Sequence, residues 1–161
     1  MANQLFLSTL QVTKSRTTPI WMMRQAGRYL KEYRKIRASL KDFISFCLNP
    51  EKASTVTLQP IARYGFDAAI IFSDILMIPW AMNRNVRFKT GVGPLLDTME
   101  KPDDIDASCL DDLSQKLAPI GRSLTLTRAA LPPETTLIGF AGAPWTLITY
   151  MAEGEIGRAH V

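Results

Sequence analysis

The chain has 161 residues, 47% hydrophobic and 21% charged, the composition of a globular domain with enough apolar material for a core. No run of about 18 apolar residues occurs, which argues against a transmembrane helix, and the stretch from Met1 to Gln11 lacks the basic and apolar regions of a signal peptide. The net charge of +4 would suit nucleic acid, an anionic membrane or an acidic small molecule, while the two distant cysteines, Cys47 and Cys109, point to reduced, partly buried thiols in the cytosol rather than a disulfide framework or a metal site.

In chain order, residues 3–11 read as a short amphipathic helix. Pro19 to Met23 is a compact, strand-like apolar run, and Tyr29 to Ser39 has helical spacing with a charged outer face. Arg24, Arg28, Lys31, Arg34, Lys35, Arg37 and Lys41 crowd this region, with only Glu32 between them. A solvated helix face accounts for such a run, whereas a nucleic-acid surface would interleave stacking aromatics or carry a known motif. Neither is present. Asn49, Pro50 and Glu51 form a helix start, with an Asx cap, a first-turn proline and an acid at the positive end of the dipole; Gly65 should end that helix after Tyr64. Phe66 to Phe72 is a continuous apolar run, as expected of a strand buried on both faces, and it ends in Ser73 and Asp74. A short helix over Ile75 to Met82 is followed by an edge or hairpin strand over Asn85 to Lys89 and a turn over Gly91 to Pro94. Pro102 to Asp112 is acidic and loop-like, and a long helix then runs to about Leu131, where Pro132 and Pro133 stop it. Thr135 to Phe140 is the next buried strand, followed by Gly142, Ala143 and Pro144 and a helix through Tyr150. This alternation predicts an α/β fold with a parallel sheet. On pattern alone, a doubly wound sheet and part of a (β/α)8 barrel are both open. No internal repeat or linker interrupts the chain, so one domain, or part of one, is expected.

Three places carry chemistry. Arg24 and Arg28 lie on one face if helical and can also converge across a turn at Gly27; two guanidinium forks in a small space suit a polyanion. Exposed arginines in weak surface ion pairs are the plain alternative. Asp74 stands at the end of a buried strand, where α/β folds place ligand-binding groups, and a carboxylate there can stabilise a cation or orient N–H donors; capping the next helix is the competing role. Gly139 to Thr146 combines small residues with a helix N-terminus, which lets a ligand approach the backbone, although a tight strand-to-helix turn needs glycine on its own account. His160 is the single histidine, so no zinc ligand set is in view, and no GxGxxG or GxxxxGK[ST] motif supports a nucleotide.

Pro19 to Leu30, PIWMMRQAGRYL, closely resembles the first signature of uroporphyrinogen decarboxylases. Ile71 to Leu76 resembles that family's catalytic-aspartate segment, and Gly139 to Tyr150 its second signature, in the family's order and spacing. The resemblance covers residues 4–154 and implies a (β/α)8 barrel, a cytoplasmic homodimer when full length, and a reaction with no metal or organic cofactor. The implied reaction removes the carboxyl group from each of the four acetate side chains of uroporphyrinogen III, giving coproporphyrinogen III; the implied partner is thus a polycarboxylate tetrapyrrole, with neither nucleic acid nor membrane. By position, Arg24 and Arg28 would bind substrate carboxylates, with Gln25, Ala26 and Gly27 lining the cleft. Asp74 would face the pyrrole N–H groups, Tyr150 would stand near the reacting acetate, and Phe140 would pack on the ring. Catalysis is expected of Asp74, Arg24 and Arg28.

A closed (β/α)8 barrel typically needs about 250 residues, so residues 1–154 are expected to be the N-terminal part of one barrel domain. Residues 155–161, EIGRAHV, depart from the family pattern and resemble the translated start of a sequencing adapter, so a truncated reading frame with a non-native tail is expected. Two rivals are a related barrel methyltransferase that works with corrinoid partners, which the Arg24-to-Tyr29 segment disfavours, and an inactive fragment that binds polyanions through its basic stretch.

Overall fold

A computed structural model describes residues 4–11, 17–23, 25–89, 93–101, 104–105 and 107–154. The elements in chain order are α1 (Leu5–Leu10), α2 (Lys31–Ala38), α3 (Phe43–Cys47), α4 (Pro50–Tyr64), β1 (Ala68–Ile70), α5 (Met77–Ala81), β2 (Arg87–Lys89), β3 (Gly93–Leu95), α6 (Leu113–Ala130), β4 (Thr136–Ile138) and α7 (Pro144–Glu153), with a 3-10 turn over Ala107–Leu110 before α6. The fold is α/β. The chain divides into two compact units, Met1–Ser73 with Pro119–Phe140, and Asp74–Ala118 with Ala141–Val161.

In the first unit β1 and β4 pair in parallel, Ala68 opposite Thr136 and Ile70 opposite Ile138. The ladder is extended by Thr136 N–H donating to the Asp67 carbonyl and Ile71 N–H to the Ile138 carbonyl, each at 3.0 Å. Helix α4 forms where its signals place it: Asn49 Oδ1 accepts from Lys52 N–H at 2.9 Å, Pro50 occupies the first turn, and Gly65 at φ 65° ends the helix in the left-handed region. Its inner positions, among them Ala53, Val56, Thr57, Pro60 and Ile61, are buried. Leu30, Tyr33, Phe46 and Val56 form one core cluster, with Phe72 packed on it, and Ile61, Ala69 and Leu131 form another. At the end of α6 the Arg128 guanidinium donates to the carbonyls of Thr135 and Pro132, both at 2.8 Å, and fastens the approach to β4.

In the second unit β2 and β3 form an antiparallel pair, with Phe88 opposite Pro94. Leu76, Leu96, Leu147, Tyr150 and Met151 make its core. Helix α7 ends at Gly154, φ 80°, whose carbonyl accepts from Leu96 N–H at 3.0 Å.

Three expectations need correction, and one helix is added. Pro19 to Met23 forms no strand among its described residues; Ile20 instead exchanges bonds with Asp67. The strands expected over Phe66 to Phe72 and Thr135 to Phe140 shrink to three residues each, because an apolar run marks burial, while strand length is decided by where a partner backbone can follow. Gly93 and Pro94, expected in a turn, belong to β3, at a pair of the short ladder that needs no proline N–H; Gly91 lies outside the described residues. Helix α3 was not anticipated, although Asp42 caps it, accepting from Ser45 N–H at 2.7 Å. The tail at residues 155–161 and His160 also lie outside the described residues.

Candidate active site

The first set of candidate residues lies in a turn between Gln25 and Leu30. Leu30, fully buried, anchors the turn in the core, and Leu30 N–H donates to the Gly27 carbonyl at 3.0 Å. The Tyr29 hydroxyl donates to the Gln25 carbonyl, and the Arg34 guanidinium donates to the Arg28 carbonyl at 2.9 Å. Arg28 is therefore carried on a turn. Arg28 points outward, is exposed, and has no ion-pair partner among the described residues. Its guanidinium fork is thus open to a carboxylate. Arg24 lies outside the described residues. Ala26 and Gly27 are half-buried, Ala26 against the Leu30–Tyr33 cluster.

Gln25 differs from its neighbours. It is 1% exposed, and both ends of its carboxamide are engaged: Nε2 donates to the Ala68 carbonyl at 2.8 Å and Oε1 accepts from Ile70 N–H at 3.1 Å. The polar atoms of this side chain are thus committed to the backbone of β1. Phe140, after β4, is 37% exposed and free to offer a ring face.

The second set centres on Asp74 and Tyr150. Asp74 is half-buried, and one carboxylate oxygen accepts from Leu76 N–H at 2.8 Å, an Asx turn two residues ahead. This is not a helix cap in the strict sense, since the N-cap residue of α5 is Leu76 and no side chain caps that helix. Burial pushes the Asp74 carboxyl above the usual carboxylate range, and the Leu76 bond only partly offsets it. Tyr150 is 7% exposed within the Leu76–Leu147–Met151 core, and its phenol is raised first by burial and then by the Asp74 carboxylate. A buried carboxyl raised by desolvation, beside a phenol raised by burial and by that carboxylate, is the electrostatic pattern of a working site. Gly142 answers a packing demand: a Cβ there would lie 2.8 Å from the Ile75 carbonyl oxygen and would collide with the Leu147 side chain. The glycine is needed for space, which favours the structural role weighed for this motif.

Two contributors had escaped the sequence reading. Thr57 is buried on the inner face of α4, and its hydroxyl accepts from Phe72 N–H at 2.9 Å, two residues before Asp74. A polar residue among Ala53, Val56 and Pro60 was the available signal. Tyr29 holds the turn through the Gln25 carbonyl, a bond that nothing in its spacing distinguishes from an ordinary exposed tyrosine. Among the described residues, no three or more His, Cys, Asp or Glu side chains stand together as a metal site, Cys47 and Cys109 are buried and not joined in a disulfide, and no helix is long and apolar enough to cross a membrane.

The fold has a solved counterpart in a methyltransferase from Methanosarcina mazei, with a TM-score of 0.71 over 94% of this chain and 46% of that one; at 14% identity the likeness concerns the fold alone. The family model for uroporphyrinogen decarboxylase (URO-D) matches residues 1–160, and the chain belongs to that family. It is 56% identical over 140 residues to the uroporphyrinogen decarboxylase of Roseobacter denitrificans and 55% identical over 149 residues to that of Ruegeria pomeroyi. The matches cover 86% and 89% of this chain but 41% and 43% of those proteins, so the chain spans about two fifths of the curated relatives' length.

Proposed function

We propose that this chain is the N-terminal part, residues 1–154, of a (β/α)8 barrel enzyme that converts uroporphyrinogen III to coproporphyrinogen III, cytoplasmic and homodimeric at full length. The observation that carries the reading is the family match over residues 1–160; the open Arg28 fork and the desolvated Asp74–Tyr150 pair support it. Arg24 and Arg28 bind carboxylates of the tetrapyrrole, and Phe140 packs against a ring. No metal or organic cofactor takes part in the proposed reaction, and neither nucleic acid nor membrane is a partner.

Loss of carbon dioxide from an acetate leaves an electron pair that needs a destination. Protonation of the attached pyrrole makes the ring cationic. The bond between the methylene carbon and the carboxylate then breaks, its electron pair enters the ring, and carbon dioxide departs. A proton adds to the exocyclic carbon to give a methyl group while the ring returns its own, so each of the four rounds consumes one proton. Asp74, ionised and held at the pyrrole N–H groups, stabilises the positive charge as it develops, and a carboxylate already withdrawn from bulk water does so more strongly than one in solvent. Tyr150 stands near the reacting acetate.

The test is coproporphyrinogen formation from uroporphyrinogen by the chain completed to the length of its relatives, beside the 161-residue chain. Product from the completed, folded protein is the expected result. A completed protein that folds and yields none would sink the assignment.

A further inference from the structure

We infer that Gln25 is a positioning residue rather than a substrate ligand: its carboxamide stands in for a peptide group of an adjacent strand and so fixes the Gln25–Leu30 turn, which carries Arg28, on the edge of β1. The functional consequence rests on the carboxylate-binding role proposed above for the two arginines; the structural part does not.

In a parallel ladder, a residue of the neighbouring strand donates its N–H to the carbonyl before a given residue and accepts from the N–H after it, the slanted pattern of such sheets. Gln25 does this with its side chain. Nε2 donates to the carbonyl of Ala68 and Oε1 accepts from the N–H of Ile70, the two groups flanking Ala69. The opposite edge of β1 is already taken by β4, through Asp67 and Ile71. The carboxamide therefore occupies the edge where a further strand would lie, and Thr57 continues it by accepting from Phe72 N–H.

A side chain does this because the preceding backbone cannot. The carbonyl of Ile20 accepts from Asp67 N–H at 2.9 Å. From there to the Gln25 contacts the segment advances five residues while β1 advances two, from Asp67 to Ala69. One-to-one strand register over that stretch is impossible, and a long amide side chain completes the ladder instead.

Gln25 is bound on its main-chain side as well, its carbonyl accepting from Tyr29 within the turn. One residue thus ties the turn to the strand, with Arg24 beside it and Arg28 three positions on. The chemistry requires glutamine: ionised glutamate only accepts hydrogen bonds and methionine offers no amide donor, so neither reproduces the paired donor and acceptor. With 1% of its surface exposed, one amide N–H donating to Ala68 and the amide oxygen accepting from Ile70, the side chain is held in the interior rather than presented to a carboxylate.

The experiment compares the 161-residue chain with its Gln25→Met and Gln25→Glu variants by NMR, following amide exchange at Ile70 and Ile71, the side-chain N–H resonances of Arg28 and Arg37, and titration with uroporphyrin, an air-stable polycarboxylate. In Gln25→Met, Ile70 exchange should accelerate about tenfold relative to Ile71, as for one lost hydrogen bond. The Arg28 resonance should move while that of Arg37 stays, and uroporphyrin binding should weaken. Gln25→Glu should disturb Arg28 and binding at neutral pH and recover as the pH falls, because a protonated carboxyl regains a donor beside its acceptor. Should Gln25→Met fail to fold, that recovery, measured against the unaltered chain, decides the matter. Unchanged Ile70 exchange and an unmoved Arg28 resonance, with binding lost, would mean direct ligation and overturn the inference. Uniformly faster exchange with Arg28 unmoved would reduce Gln25 to general stability and overturn it equally. If the unaltered chain does not bind uroporphyrin, the substrate reading suffers, while the exchange and Arg28 signals still decide what Gln25 does.

Discussion

Gln25 and Asp74 are both polar side chains drawn out of water, and the fold treats them in opposite ways. Gln25 is fully buried with both amide atoms paired to backbone, so its desolvation is compensated and its properties are those of scaffold. Asp74 accepts one side-chain hydrogen bond among the described residues, from Leu76 N–H, and burial raises its pKa. A satisfied polar group holds structure, and an under-satisfied charge is held in reserve for something that arrives later.

The sharpest way to break this contrast is Asp74→Asn in the completed protein. Activity should fall about 100- to 1000-fold, as when one preorganised charge-stabilising group is removed, while the fold persists; steady-state coproporphyrinogen assays beside a thermal melt would show both. Gln25→Ala should behave in the reverse sense. It leaves the Ala68 carbonyl and the Ile70 N–H without partners in the core, which costs roughly 2–4 kcal/mol, and a denaturant midpoint that does not move would remove Gln25 from the scaffold. Gly142→Ala tests the same rule at a site of pure packing. Its collision with Leu147 and the Ile75 carbonyl should cost about 1–3 kcal/mol, measured by urea unfolding.

The pH dependence gives a smaller but signed effect. A raised Asp74 pKa means that the folded chain holds this proton more tightly than the unfolded chain. Its contribution to stability is therefore full below the ordinary carboxylate range and is lost as pH rises through the elevated value. Asp74→Asn should accordingly be at least as stable as the unaltered chain near neutrality, and its advantage should vanish in acid; unfolding curves at several pH values would decide it. In the completed protein, the acid limb of the activity profile should lie above the ordinary aspartate range, because the proposed mechanism needs the ionised form. Asn49→Ala, far from either residue in role, should cost about 1 kcal/mol of stability through the lost cap.

Helix α4 was legible from end to end because its signals are local: a cap, a first-turn proline and a terminal glycine lie within the helix they define. The segment around Arg28 and the position of Asp74 after a buried strand could be picked out as motifs, although the spacing left helix and turn open for the arginines. The role of Gln25 was not, because its partners lie 43 and 45 residues away and nothing in the local pattern specifies which strand edge will be open. The lengths of β1 and β4 escaped for the same reason: hydrophobicity reports burial, and pairing is a property of two segments at once.

The arrangement around β1 also has a direction in time. Gln25 and Thr57 precede β1 in the chain, so the partners for one edge are already made when the strand emerges from the ribosome. The other edge must wait for β4, whose last residue, Ile138, is synthesised 68 residues after Ile70. At roughly 5–20 residues per second that wait is about 3–14 s. During that interval the nascent strand is open on one side only, which halves the backbone it offers to a neighbouring polysome's unfinished chain.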